Sequence, residues 1–521
     1  MQYAAYGYLA PMGMDLMQMT LFTGDSDMQD RIKGVVKSII FLIILVIMLY
    51  YINQILQPKY IYKNSIWPTT STYNQFYRME ENSIDVFFLG SSVCVNAFSP
   101  QEIYNNYGIR SYNLGSEQQS IFLSYFWLKE VLRFQSPQVV VLDTKFLFDI
   151  HPETAINTTE GMTRKCLDPM KWSGVKAEAV NDLCSIDESQ SKLSYYLTNI
   201  RFHSRWSSLA EHDIDMSEVQ YAELKGYSAV DAYGPQSYTP FILDNTDIYE
   251  DFEPTMQEYL ERIVELCKEN DIRLVLVSLP GNTMNSGIHN NLTKYATDNN
   301  VDYYNLCETG NYEAIGAILP KESVISHENL WGSIKMSKYI GELLSETYDV
   351  AAVQDAQWEE TKDYYEHVIK NCELVHITDF AEYLKAVDDQ NYSVFVSVGN
   401  DATTGLTDEM KVALMKLGVE TDWTDKYRWS YYAVILPGEG VVEKAGEDTL
   451  TVTGGFRGNR SVYTITSNGY YTGSEAAITI DGTNYSKNGS GFNIVVYDNV
   501  TMKVIDQVQF DTGDTSVSAV R

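Results

Sequence analysis

Between residues 83 and 346, short apolar runs alternate with longer amphipathic stretches, and this rhythm leaves the chain few ways to fold. Residues 84–89, 111–114, 139–142 and 273–279 read as strands, the last stopped by Pro280. Residues 100–107 open a short helix, and residues 118–134 carry Phe122, Tyr125, Phe126, Leu128, Val131 and Leu132 on a broad apolar face. Residues 256–267 place Met256, Leu260, Ile263 and Cys267 on one side, and residues 334–346 form the last helix. Strands alternating with helices specify an α/β class with a mostly parallel, doubly wound sheet. Ligands on such sheets bind beyond the carboxyl ends of the strands.

A chain of 521 residues with 45% hydrophobic content holds two or three domains. Its net charge of −32 excludes a nucleic-acid partner, because no basic field neutralises phosphates. The six cysteines show no C-x-x-C spacing and the seven histidines form no H-E-x-x-H helix, so no metal or other cofactor is expected. One or two disulfides and a set of buried free thiols both fit the cysteine pattern. Residues 35–56 form a membrane-span candidate whose centre, 38–52, carries no charge. As a helix it is roughly 33 Å long, enough to cross a bilayer. Asn53 and Gln54 are placed to reach one interface, and Tyr50 and Tyr51 suit the aromatic belt. No small-residue cleavage site follows, so an uncleaved single-pass anchor is expected. Arg31, Lys33 and Lys37 at its start put the N-terminus inside and the C-terminal domains outside the cell membrane. The expected organisation is a tail (1–34), the span (35–56), a linker (57–82), the α/β domain (83–348) and a β-rich α+β domain (349–521). Residues of about 149–254 show little periodicity and read as an insertion covering the site. In the last domain 380–387 and 407–417 read as helices, and 392–398, 433–436, 476–480, 493–496 and 503–510 as strands.

The chemistry concentrates at Gly90-Ser91-Ser92, which ends the first apolar strand. A serine needs a base to become a nucleophile, and His327 in Ser326-His327-Glu328-Asn329-Leu330-Trp331-Gly332 is the candidate. Phe88-Leu89-Gly90-Ser91-Ser92, Tyr112-Asn113-Leu114-Gly115 and the H-x-N-x-x-G spacing of His327, Asn329 and Gly332 together resemble the SGNH (GDSL-like) hydrolases over about 85–346. The nearest likeness is to membrane-anchored bacterial members that act on cell-surface polymers. The resemblance implies Ser92 as nucleophile, His327 as base, and the Ser92 and Gly115 backbone N–H groups as an oxyanion hole. Ser91 stands where the family has Asp, and Val324 where it has the acid that supports the histidine. Glu322 and Glu328 are near but off register, and the strand ending in Asp143-Thr144 lacks the family's third-block Asn.

A second resemblance runs through Thr464-Ile465-Thr466-Ser467-Asn468-Gly469-Tyr470, residues 476–482 and 491–496, and Phe510-Asp511-Thr512. Residues 394–402, with Asn400 in place of a first Asp, and the arginine-led strand 428–435 supply the other half. This is similar to the interleukin-like EMT inducer (ILEI) family, with its two halves in swapped order, as a circular permutation would leave them. The resemblance implies a small glycan-binding candidate module. Trp423, Trp429, Tyr431, Tyr432, Tyr470 and Tyr471 are candidates to stack on sugars, and for any one of them a core or interface position is the favoured alternative. Two functions follow. One is a membrane-anchored surface esterase or O-acyltransferase on an envelope polysaccharide, with a membrane-bound acyl donor protein as partner. The other is an inactive scaffold that binds glycan, for which Val324 is the motive.

Overall fold

The computed structural model describes residues 26–58, 69–148, 160–209, 211–214, 224–233, 241–316, 322–324 and 327–521. Most of the expected tail, the linker core 59–68 and parts of the insertion lie outside the described residues. The chain divides into two compact units, Met1–Pro58 with Leu197–Ile214, and Lys59–Tyr196 with Asp215–Arg521.

In the first unit a single helix, Ser26–Leu56, contains the apolar span and is longer upstream than the apolar run. An 18-residue window within residues 31–56 has a mean hydropathy of 2.7, and the helix is long and apolar enough to cross a membrane. Its apolar side chains from Ile32 to Ile52 are exposed all round. Asn53 is not an interfacial residue as expected: it is buried, and its Oδ1 accepts from Thr198 Oγ1 and Asn199 N, both at 2.8 Å. Arg205 donates to the Leu56 carbonyl at 2.9 Å, satisfying one of the helix's terminal acceptors.

In the second unit β1 (Val86–Leu89), β2 (Ser111–Asn113), β3 (Val139–Asp143), β4 (Arg273–Ser278) and β5 (Asp302–Asn305) form a parallel sheet in the order 2-1-3-4-5. Alternation divides its side chains between two cores. Phe87, Leu89, Val140, Leu142, Leu274 and Leu276 pack under the Ile121–Val131 and Pro254–Glu269 helices. Val86, Phe88, Val139, Val141, Val275 and Val277 pack on the Pro100–Tyr107 and Leu330–Glu346 helices. With both faces covered, only the strand ends are open to chemistry. The chain passes from β1 to opposite sides of it, so the crevice of this sheet lies at the carboxyl end of β1.

The insertion is more helical than its sequence suggests, with helices at Glu160–Leu167 and Gly174–Ile186. Buried charge lies beside the apolar residues Leu167, Ala179, Val180 and Leu183 there. Arg164 lies over the Tyr195 ring and donates to the Ser194 carbonyl, and Lys176 donates to the Asp168 and Met170 carbonyls. Burial pushes the Asp168 carboxyl up to about 6 and the Lys176 ammonium down to about 8.

A two-stranded hairpin, β6 (Ser323–Val324) and β7 (His327–Glu328), precedes the last α/β helix. Beyond it β8 (Tyr392–Asn400), β9 (Ser430–Leu436), β10 (Gly440–Gly446), β11 (Leu450–Phe456), β12 (Ser461–Gly469), β13 (Ala476–Ile480), β14 (Thr483–Asn484), β15 (Gly491–Asp498), β16 (Lys503–Phe510) and β17 (Ala519–Val520) form one curled, mostly antiparallel sheet. From its centre, Val394, Val396 and Val398 of β8 face the Phe380–Val387 and Asp408–Lys416 helices, while Phe395 faces β11, β12 and β13 across the curl. Trp423, Tyr431 and Tyr432 fill these cores, which corrects their assignment as sugar-stacking candidates. Arg521 donates to the Leu374 and Ile377 carbonyls at 3.1 and 2.9 Å, so the two ends of this lobe touch. None of the six cysteines forms a disulfide.

Candidate active site

Gly90 leaves β1 at φ 154°, where a Cβ would sit 2.4 Å from the Asp143 Cβ, so no other residue fits between β1 and β3. Ser91 then caps the short Ser92–Ala97 helix, its Oγ accepting from Val93 N. Ser92 is the first helical residue. Its N–H is among the first-turn donors that no intrahelical carbonyl satisfies. Asn113, fully buried at the end of β2, donates to the Cys94 and Phe98 carbonyls at 2.8 and 3.0 Å and locks this helix in place.

Ser92 Oγ lies 2.8 Å from His327 Nε2, across 235 residues of chain. With the ring hydrogen on Nδ1 the hydroxyl donates, which is the geometry a serine needs to lose its proton to imidazole. Ser92 is 9% exposed and His327 partly exposed, so the pair is reachable from solvent but largely dry around the hydroxyl. The H-x-N-x-x-G spacing has a local cause. Asn329 Oδ1 accepts from Gly332 N at 3.2 Å and caps the Leu330–Glu346 helix. A Cβ on Gly332 would fall 2.2 Å from both the Glu322 carbonyl and Glu328 Oε2.

Val324 pairs directly opposite His327 in the hairpin, so the family's acid position holds a residue without an acceptor. Glu328 follows His327 on a strand and therefore points to the opposite face. It is buried, its Oε2 lacks a hydrogen-bond partner, and burial together with the neighbouring Glu322 pushes its carboxyl up to about 8. Glu322 pairs with Lys335 at 2.6 Å. Gly115 packs on the elbow, where its Cβ would be 2.9 Å from the Gly90 carbonyl. Its N–H donates to Asn113 Oδ1 at 3.3 Å, a long bond that turns the expected oxyanion donor toward its own turn.

Two groups were not legible as site residues. The first is Asp143, at the carboxyl end of β3 and beside the elbow. The second is the segment 224–233 of the insertion, a strap threaded through the site. Asn113 N donates to the Lys225 carbonyl (2.9 Å), Ser228 N to the Val95 carbonyl (3.2 Å), Asn96 Nδ2 to the Ser228 carbonyl (2.8 Å) and Leu330 N to the Val230 carbonyl (2.8 Å). The strap thus holds the Ser92–Ala97 helix and the His327 segment at once. Gly226, at φ 86°, comes so close that a Cβ would stand 1.7 Å from the Asn113 carbonyl oxygen. The strap has no periodicity to betray it. Asn282, which meets Asp143, could have been found as the strand-end Pro280-Gly281-Asn282 turn. Among the described residues no cluster of metal-ligating side chains occurs. Compared with known proteins, the chain matches no family model and no curated protein.

Proposed function

We propose that this protein is a membrane-anchored serine esterase or O-acyltransferase of the SGNH type, acting on acyl esters of an envelope polysaccharide. The observation that carries this reading is the 2.8 Å contact of Ser92 Oγ with His327 Nε2 at the switch-point end of β1. Ser92 Oγ attacks the acyl carbonyl carbon while His327 Nε2 takes its proton. The C–O bond to the sugar breaks, and His327 returns the proton to the leaving oxygen. The acyl group, now on Ser92, passes to water or to another sugar hydroxyl that gives its proton to His327, and His327 returns that proton to Ser92 Oγ as the acyl–Ser92 bond breaks. The Ser92 N–H and, after a turn away from Asn113 Oδ1, the Gly115 N–H stabilise the oxyanion. With Val324 at the acid position, turnover is slow, since removing such an acid costs about 10⁴-fold in a serine protease.

The apolar Ser26–Leu56 helix supports the anchor. The closeness of Arg521 to Leu374 and Ile377 supports a permuted ILEI-like lobe, because permutation requires neighbouring ends. Its remaining sugar-stacking candidates, Tyr470, Tyr471 and Trp429, gather with Arg428 and Lys426 on the surface. The Arg428 guanidinium lies 3.8 Å from the Tyr470 ring centroid, and Lys426 Nζ lies 4.2 Å from that of Trp429. Tyr470 is 50% and Tyr471 73% exposed. A glycan held there stays near the site at raised effective concentration.

The second reading, an inactive glycan-binding scaffold, is favoured by Val324 and by the direction of the Gly115 N–H. A fluorophosphonate probe on the full chain separates the two. The enzyme reading expects one adduct on Ser92, lost in Ser92→Ala and in His327→Ala. Absence of any adduct between pH 7 and 9 favours the scaffold.

A further inference from the structure

Asp143 is 2% exposed, and its carboxylate meets four donors from three strand ends. Its Oδ2 accepts from Ser91 Oγ at 2.6 Å and from Ser91 N at 3.2 Å. Its Oδ1 accepts from Asn282 Nδ2 at 2.9 Å and from Lys145 N at 3.0 Å. These donors belong to the turns after β1, β3 and β4. A buried carboxylate is stable only when its oxygens are filled by such partners. Once filled, it has no lone pair left to act as a base.

We propose that Asp143 is the positioning residue of the nucleophile turn. On the reading of Ser92 as nucleophile, it holds the Ser91 backbone so that Ser92 Oγ meets His327 Nε2 and the Ser92 N–H faces the acyl oxygen. Three observations bear on this. The missing Cβ at Gly90 admits the Asp143 side chain to the turn at a distance no substituted residue allows. Ser91 hydrogen bonds to Asp143 through both its N–H and its hydroxyl, which fixes the peptide immediately before Ser92. Asn282 Nδ2 and Lys145 N fill the other carboxylate oxygen, so Asp143 is held from the turns after β3 and β4 while it holds Ser91. The pair works through geometry and touches neither the substrate nor His327.

The test uses the full chain and p-nitrophenyl acetate, with thermal unfolding to show that each variant is folded. Asp143→Asn and Asp143→Ser are expected to lower kcat about 10²-fold, the scale of a misplaced reacting group, with KM within about twofold. The exchanged variant Ser91→Asp/Asp143→Ser recovers at least about tenfold in kcat over Asp143→Ser. A side chain that only stabilised the fold would lower the unfolding temperature without that rescue. Folded Asp143 variants with native kcat, or an exchanged variant no better than Asp143→Ser, overturn the proposal. Native hydrolysis that survives Ser92→Ala unchanged instead overturns the nucleophile itself, and this inference with it.

Discussion

The two large sheets of the second unit differ in burial and in their use of polar residues: nearly every position of β1 to β4 is buried, whereas β10, β11 and β14 of the curled sheet keep exposed positions. In the parallel sheet the buried polar groups gather at one edge, the carboxyl ends of β1 to β4: Ser91, Ser92, Asn113, Asp143, Thr144, Ser278 and Asn282. In the curled sheet they serve as fasteners. Asp498 accepts from His367 Nε2 and Asn371 Nδ2, both at 2.8 Å, joining the Lys362–Leu374 helix to β15. Asp401 accepts from Arg428 N at 2.9 Å and from the Thr403 and Thr404 hydroxyls, closing a turn. The difference follows from topology. Crossover helices cover both faces of a parallel sheet and leave its strand ends as the open ground. The curled sheet keeps edge strands at β10, β11, β14 and β17, and its buried polar groups hold strands and helices together.

Three changes would break or sharpen that contrast. The largest effect is expected at Gly226, where a Cβ meets a backbone oxygen rather than a movable side chain. Gly226→Ala should cost more than about 4 kcal/mol by urea unfolding and abolish probe reactivity at Ser92. Gly316, at φ 74° with open space around it, is the control. Gly316→Ala should cost only the left-handed backbone term, about 1–2 kcal/mol. Equal costs at the two glycines would mean that the strap yields and does not clamp the site.

Next comes the fastener of the curled sheet. His367→Ala removes one partner of a fully buried carboxylate and should cost about 3 kcal/mol in urea unfolding. Probe reactivity at Ser92 should stay within about twofold, as expected for sites without shared partners. A parallel loss of reactivity would show that the two lobes are coupled at the site.

The smallest effect is a slope against pH, of opposite sign in the two lobes. The Glu328 carboxyl is raised from 4.5 to about 8 by burial and by Glu322. Its contribution to stability is whole below about pH 4.5, and is lost as pH rises toward 8, because the unfolded chain ionises first. Burial alone would raise Asp498, but the bonds from His367 and Thr501 outweigh it and hold its carboxyl below 3.8. Its contribution is present above that range and is lost on acidification. Unfolding midpoints of Glu328→Gln should be flatter than those of the native chain from pH 5 to 8. An unchanged slope there would place the buried proton elsewhere.

Local chemistry was readable where one residue type has one local cause. Gly90-Ser91-Ser92 could be read as the end of a strand and the β-branched runs as strands, whereas the cap made by Asn329 and the close approach at Gly332 came from the structure. The polar strand β5, with Asp302 and Tyr303, lacks a strand signature, while β11 and β12 carry β-branched Thr, Val and Ile residues interrupted by Gly454 and Gly455. The helix Ser286–Asn299 was hidden in a run of Asn and Thr, residues that favour caps and turns. In the insertion, Val175, Ala179, Val180 and Leu183 lie on one helix face, and the buried Lys176 among them, like the buried Arg164 of the helix before, breaks the apolar pattern that marks a helix in the sequence.

The sequence by itself determined the apolar helix, the alternation that makes a parallel sheet, and the serine at the tip of its first strand. These depend on contacts within a few residues or on periodicity, and both are written along the chain. Only the tertiary structure decided that His327 meets Ser92 and that Asp143 fills the turn through Ser91. Only it decided that an aperiodic strap binds the Ser92 and His327 segments together. Those contacts join residues far apart in sequence, and their energy comes from burying polar groups against chosen partners, which no local pattern records.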